Sequence, residues 1–209
     1  MTPLNLLGQT FALALQCRCT TDPLPSPQSD ELAAIIHSFG GQLTKRLGYA
    51  VVDLESTGLD PWQDRVISIA VIHLDLNLDF ERDWYTLVNP HRAIPQTVSG
   101  LTKIVASDVQ DAPSFASIIP TVSAALKNRI LVAHNVSFDS CLLLAEYRRA
   151  GHVLPTVPSI CTLHLSQEQG FKQHSLITIC KELGISNPTP HNARSDAQAT
   201  TSLLRHLYR

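Results

Sequence analysis

The sequence predicts an α/β domain with a mixed five-stranded sheet flanked by helices, preceded by a partly helical N-terminal extension. Three β-rich runs follow one another over short connections after Tyr49, which favours an antiparallel meander. Helical and strand-like segments then alternate, giving the order βββαβαβα and a mixed sheet. With 209 residues, 44% of them hydrophobic, the chain is long enough to bury one proper core.

Residues 1–48 differ in character from residues 49–209, and we assign them to a separate extension. Apolar residues at helical spacing predict one amphipathic helix over residues 4–15 and another over residues 32–39. Three prolines within residues 20–30 predict an extended linker between the two helices.

The first three strands are predicted at residues 49–54, 66–74 and 84–88, with a turn at residues 77–79. A compact apolar run predicts a fourth strand from Arg129 to Asn135. A fifth strand is predicted at residues 156–161, where prolines at 155 and 158 confine it to a sheet edge or shorten it.

Apolar periodicity predicts four helices in this domain, at residues 114–127, 137–150, 175–183 and 193–207. Pro120 lies inside the first of them. Because proline removes a backbone donor and clashes with the preceding turn, we expect it to kink or split that helix.

The composition narrows the class of protein. A net charge of −2 argues against a protein that coats nucleic acid through a wide basic surface. It does not exclude an enzyme that binds one end of a strand, since metal ions can supply positive charge. No apolar run reaches 18 residues, so no membrane contact is expected. Five cysteines, an odd number without a CxxC spacing, favour a reducing, cytoplasmic location.

Asp53 and Glu55 end the first predicted strand in VVDLESTGLD. Side chains two apart on a strand point to one face, so these carboxylates lie side by side. A mostly buried strand accepts two adjacent anions readily only if a cation bridges them. The alternative is a pair of solvated acids at a strand end. The following turn, Ser56-Thr57-Gly58, is expected to expose amides and a hydroxyl that suit a phosphate or sugar oxygen.

Two further acids begin predicted helices. Asp139 follows the fourth strand in LVAHNVSFD, where the helix dipole alone would favour a carboxylate. Asn135 could bond turn or ligand groups, and Phe138 is either a core residue or a ring for a base. Asp196 lies in HNARSD ahead of the last helix, so His191 can share its site only from the loop that enters that helix.

Together, Asp53, Glu55, Asp139 and Asp196 come from two strand ends and two helix starts, with His191 near one of them. Hard oxygen ligands without cysteine are the set expected for Mg²⁺ or Mn²⁺. Two such ions roughly 4 Å apart can activate a water and stabilise the leaving oxygen of a phosphodiester.

In that order and at these separations, the motifs DLESTGLD, HNVSFD and HNARSD closely resemble those of the DEDDh exonucleases. This DnaQ-like family includes the proofreading epsilon subunit of bacterial DNA polymerase III. The resemblance runs from about Gly48 to Leu204 and includes SGLTKIVASDVQDAPSF and HSLITICKELGI. It departs from the family pattern at Ser99, where a histidine is usual, and at Ser68, where an acid is frequent.

The resemblance implies a ribonuclease-H-like fold and a 3′-to-5′ exonuclease that binds two metal ions, Mg²⁺ or Mn²⁺. Its implied metal ligands are Asp53, Glu55, Asp139 and Asp196, with His191 as general base. Its implied substrate-binding residues are Ser56, Thr57, Gly58, Leu59, Asn135 and Phe138. Thr57 would contact the 3′ hydroxyl and Leu59 the terminal base.

We therefore expect an enzyme that releases nucleoside 5′-monophosphates from single-stranded or frayed DNA 3′ ends, in repair or proofreading. One alternative is an exoribonuclease with the same ligands, since the sequence does not report tolerance of a 2′ hydroxyl. Another is a catalytically silent adaptor that binds a polymerase or repair partner. Residues 1–48 could bind a polymerase or repair partner, pack against the domain or be flexible, and the sequence leaves these alternatives open.

Overall fold

The computed structural model describes residues 48–208. The helices predicted at residues 4–15 and 32–39, and the linker between them, lie outside the described residues. The division of the chain at residue 48 therefore stays a prediction.

Five strands form one mixed sheet in the order β3-β2-β1-β4-β5. Their bounds are Gly48–Ser56 (β1), Val66–Leu74 (β2), Phe80–Leu87 (β3), Arg129–Ala133 (β4) and Ser159–Cys161 (β5). The first three strands pair antiparallel as a meander, whereas β4 pairs parallel to β1 and β5 parallel to β4. The predicted fold class is confirmed.

Seven helices surround the sheet within residues 48–208. Their bounds are Gln96–Thr102 (α1), Ala106–Val109 (α2), Phe115–Leu126 (α3), Val136–Arg149 (α4), Thr162–Glu168 (α5), Leu176–Leu183 (α6) and Ala193–Leu207 (α7). The last of these has the predicted bounds. Ser114, Ser175 and Asn192 begin α3, α6 and α7 by accepting a hydrogen bond from the backbone N–H three residues later.

The central strand β1 separates two hydrophobic clusters. Ala50, Val52 and Leu54 pack on the face covered by α3 and α4. Tyr49 and Val51 pack on the opposite face, together with residues of α5, α6 and α7. Because successive side chains on a strand alternate between faces, the residues after Val51 on its own face are Asp53 and Glu55. The acidic pair therefore lies on the same face as the second cluster, beyond its last β1 residue.

Several elements differ from the sequence-based expectation. A single helix, α3, runs through Pro120, so the chain is not split there. Strand β3 begins four residues earlier than predicted, at an exposed edge with polar residues. Strand β5 is a three-residue edge strand, as its prolines indicated. Helices α1, α2 and α5 were not predicted, because segments of four to seven residues carry little periodicity.

No helix within residues 48–208 is long and apolar enough to cross a membrane. Cys161 and Cys180 carry free, buried thiols.

Candidate active site

Three carboxylates meet at the carboxyl end of β1. Asp53 and Glu55 lie on one face of the strand, and Asp196 lies in the first turn of α7, which packs on that face. One oxygen from each of the three lies within 4.8 Å of the others. This spacing suits a shared cation, and the fold therefore places the acidic pair and the motif before α7 together, as the sequence indicated.

Asp139 lies beside this group and is not one of the three. It occupies the first turn of α4 and is 4% exposed. The backbone N–H groups of Asp139 and of Leu54 in β1 lower the pKa of its carboxyl group, against the larger effect of burial. It still lies near enough to Asp53 to disfavour ionisation there. The four predicted ligands thus converge on one region, with Asp139 on the α4 side.

The electrostatics of the cluster are unfavourable without a cation. Burial raises the pKa of Asp53 well above its usual range, and the charges of Asp139, Asp196 and Glu55 raise it further. Burial, with a contribution from Asp196, raises the pKa of Glu55 to about 7. Burial also raises the pKa of Asp139. None of the ion pairs formed within residues 48–208 involves these carboxylates.

Asp196 has its own hydrogen-bonding support, which the sequence did not reveal. The Asn187 side-chain amide donates to Asp196 Oδ1 at 2.6 Å, and the His191 backbone N–H donates to Oδ2 at 2.8 Å. Ser195 Oγ donates to Asn187 Oδ1 at 2.7 Å and so fixes the orientation of the amide. The only sequence signal was an asparagine before two prolines, which is equally typical of an ordinary turn.

His191 lies in the loop that enters α7, as the sequence required, with Asn192 as the helix cap. Its φ of 62° is in the left-handed region, and this backbone conformation accompanies the bond from its N–H to Asp196. The side chain is partly buried. Its role as a general base stays a prediction.

The turn after β1 differs from the expectation of exposed amides and a hydroxyl. Thr57 is 2% exposed, its N–H donates to the carbonyl of Arg65, and its hydroxyl donates to Asp64 at 2.9 Å. The expectation was wrong because Asp64 and Arg65, seven and eight residues later, fold back and take up these groups. A Cβ at Gly58 would lie 2.4 Å from an Asp64 carboxylate oxygen, so a larger residue there would displace the carboxylate that Thr57 binds.

The remaining predicted pocket residues differ in exposure. Leu59 is 87% exposed, and the neighbouring Ser56 hydroxyl donates to the carbonyl of Gly58. Asn135 is exposed at the left-handed cap of α4 (φ 72°), and Phe138 is partly buried against the first cluster. Their roles in substrate binding stay predictions.

Comparisons with known proteins agree with this fold and site. A structure of exonuclease X with 5′ overhanging duplex DNA superposes with a TM-score of 0.60 and 26% identity, over 76% of this chain and 90% of that one. Escherichia coli exonuclease I with a dT13 oligonucleotide superposes with a TM-score of 0.70 and 15% identity, over 78% of this chain and 41% of that one, which bears on the fold alone. The fold is therefore that of the exonuclease class.

The RNase_T family, described as "Exonuclease", matches residues 50–204. The chain belongs to this exonuclease family, so the predicted family and the predicted class of enzyme are confirmed. A DNA polymerase III PolC-type protein of Oceanobacillus iheyensis is 35% identical over 158 residues, which are 75% of this chain and 11% of that protein. The 3′-5′ exonuclease DinG of Bacillus subtilis is 32% identical over 155 residues, which are 73% of this chain and 16% of that protein. The chain thus matches only a small part of each relative.

Proposed function

We propose that this protein is a metal-dependent 3′-to-5′ exonuclease that removes nucleotides from single-stranded or frayed DNA. The observation that carries the proposal is the meeting of Asp53, Glu55 and Asp196 oxygens within 4.8 Å, without an arginine or lysine paired to them in residues 48–208. Such a cluster is stable in its ionised form only with a cation.

We assign two divalent cations, Mg²⁺ or Mn²⁺, to these carboxylates. Hard carboxylate oxygens without thiol or imidazole neighbours in the group match these ions. Asp53, Glu55, Asp196 and Asp139 would hold them. When bound, the ions supply Lewis-acid activation of a water and stabilise the leaving oxygen.

His191 supplies the general base in this proposal. Its backbone N–H donates to Asp196, so the residue lies next to a proposed metal ligand. A neutral imidazole can accept a proton from water, as a general base does. The water attacks the terminal phosphorus, and the 3′ oxygen of the preceding nucleotide leaves with a proton from solvent. The phosphate stays on the released nucleoside as its 5′-monophosphate.

The terminal nucleotide would bind between the turn after β1 and the start of α4. Leu59, the most exposed residue of that turn, would contact the base, with Phe138 and Asn135 opposite it. Ser56, Thr57 and Gly58 would shape the sugar site through their backbone, because the Thr57 and Ser56 hydroxyls already donate within the loop. Sites that hold backbone and stack bases read little sequence.

DNA is the preferred substrate in this proposal because the similar proteins named above include DNA polymerase III PolC-type and an exonuclease X bound to DNA. A polymerase or repair partner for residues 1–48 is part of the proposal. Capture of such a partner by the full chain, and its loss when residues 1–47 are removed, would test it.

The primary test is a gel time course on matched 5′-labelled DNA and RNA strands with Mg²⁺, Mn²⁺ or chelator. We expect a ladder that shortens from the 3′ end only with metal, faster on DNA than on RNA. A faster ladder on RNA would assign the chain to the exoribonucleases. Intact strands in every metal would indicate the silent adaptor.

A further inference from the structure

A tryptophan and an arginine form an exposed pair beside the turn that follows β1. Trp62 is 43% exposed, and the guanidinium carbon of Arg148 lies 5.4 Å from its ring centroid. Trp62 belongs to the loop between β1 and β2, whereas Arg148 lies in the last turn of α4. We call Trp62 and Arg148 the Trp62 platform. Neither residue is used by the proposed chemistry.

The loop that carries Trp62 is fastened on both sides of the ring. Arg149 donates to the carbonyl of Pro61 at 2.8 Å, and Arg92 donates to the carbonyl of Gln63 at 2.5 Å. Asp64 accepts from Thr57 and from the backbone of Asp60. The backbone on both sides of the exposed Trp62 is thus hydrogen-bonded, which lowers the entropy lost when a ligand orders this loop.

The three arginines around this loop differ in the ion pairs they form. Arg149 also pairs with Glu146, and Arg92 also pairs with Asp64. Arg148 is exposed and takes part in none of the ion pairs formed within residues 48–208. Its charge is therefore available to a phosphate while its planar group lies against the ring.

The platform lies close to the proposed site of the terminal base. Trp62 follows Leu59 by three residues, so their Cα atoms are at most about 11 Å apart even in a fully extended chain. A strand whose terminal base contacts Leu59 therefore has its next nucleotides within reach of Trp62.

We infer that the Trp62 platform binds the nucleotides immediately upstream of the terminal one in single-stranded DNA, by stacking a base and pairing a phosphate with Arg148. An exposed ring beside a guanidinium that has no carboxylate partner in residues 48–208 is the chemistry that binds single strands without reading sequence. This inference rests on the proposed function. It explains how a chain of net charge −2 gains affinity for a polyanion through one local contact.

The test compares Trp62→Ala and Arg148→Ala with two matched controls. Phe80→Ala removes another exposed aromatic residue, and Lys127→Ala another exposed charge, both near the opposite end of the sheet from the carboxylates. Binding of the full chain to dT12 with phosphorothioate 3′ linkages is measured by fluorescence anisotropy in Ca²⁺. We expect Kd to rise about tenfold in Trp62→Ala and to stay unchanged in the controls. Arg148→Ala should reduce the slope of log Kd against log salt by about 0.7.

Substrate length separates this inference from the proposed function. Hydrolysis of the p-nitrophenyl ester of thymidine 5′-monophosphate needs no upstream nucleotide and should be unchanged in both variants. The KM for dT12 should rise in Trp62→Ala by the same factor as Kd. Trp62→Phe, which keeps an aromatic ring, should restore most of the lost affinity. Equal dT12 affinity in wild type, Trp62→Ala and Arg148→Ala would overturn the inference. Absence of all hydrolysis would overturn the proposed function, while the binding comparison would still decide the role of the platform.

Discussion

Helix α4 carries two buried acids that are treated in opposite ways. Glu146 accepts hydrogen bonds from Arg65 at 2.8 and 3.1 Å and lies 3.3 Å from Arg149. Asp139, seven residues earlier and thus about two turns away, faces the acids of β1. Two arginine side chains therefore neutralise Glu146, the acid that joins α4 to the residue before β2. The chain leaves the acid at the other end of the helix among like charges, where we propose that metal ions bind.

Asp53→Asn gives the largest expected effect, because it removes a carboxylate from the acidic cluster that would hold the metal ions. Metal-dependent shortening of a 5′-labelled strand should fall to background. In chelator the same variant should melt higher, since one source of repulsion is gone, by about 2–4 °C per kcal/mol gained. Substantial residual activity would contradict the assignment of Asp53 as a metal ligand.

His191→Ala should lower kcat by on the order of a hundredfold, the scale of a lost general base. His191→Asn is a second variant that should keep the backbone hydrogen bond to Asp196, since asparagine tolerates the left-handed conformation of this residue. Both variants should lose the rise in rate with pH that a histidine base causes. An unchanged pH–rate profile would argue against this role.

Glu146→Gln tests the acid of α4 that is paired with arginines. Arg65 and Arg149 would lose their anionic partner, but both are about a quarter exposed and can regain water. We therefore expect a loss of about 2 kcal/mol of unfolding free energy in denaturant titration. The rate per folded molecule should stay unchanged, with the exposed Glu182→Gln as control. A lost rate in a fully folded Glu146→Gln would remove the distinction between the two sites.

Asn187→Ala should weaken metal binding about tenfold, because the amide that orients Asp196 is gone. The measurement is the Mn²⁺ concentration that gives half-maximal rate. Saturating Mn²⁺ should restore most of kcat. A lower kcat with an unchanged half-saturating concentration would show that Asn187 does not act through the metal.

Stability without metal should depend on pH in the direction set by the raised pKa values. Glu55 ionises near pH 4.3 when unfolded and at about 7 when folded, so the unfolding free energy should decrease as the pH rises from about 5 to 8. Asp53 and Asp139 act in the same direction. Thermal melts in chelator should show this decrease, and Mg²⁺ or Mn²⁺ should abolish it. A stability that increases over this range in chelator would contradict the unfavourable cluster.

The sequence predicted the strand at 66–74 and the helix at 193–207 with their observed bounds, because both have long, regular apolar patterns. It also predicted that the acids of β1 share a face. It could not predict that Thr57 is buried, since this depends on Asp64 folding back from seven residues away. Asn187 and Glu146 were missed for the same reason. Their importance depends on partners that loops and helix packing bring near, and no local pattern records those partners.

Strand β1 contributes to both hydrophobic clusters only through residues that precede its acids or alternate with them. The acids therefore add nothing to the assembly of the core. A descendant of this chain could exchange any of them and still superpose on its ancestor. The fold alone would then indicate shared descent, and only the identity of the side chains at the end of β1 would indicate whether the exonuclease chemistry is retained.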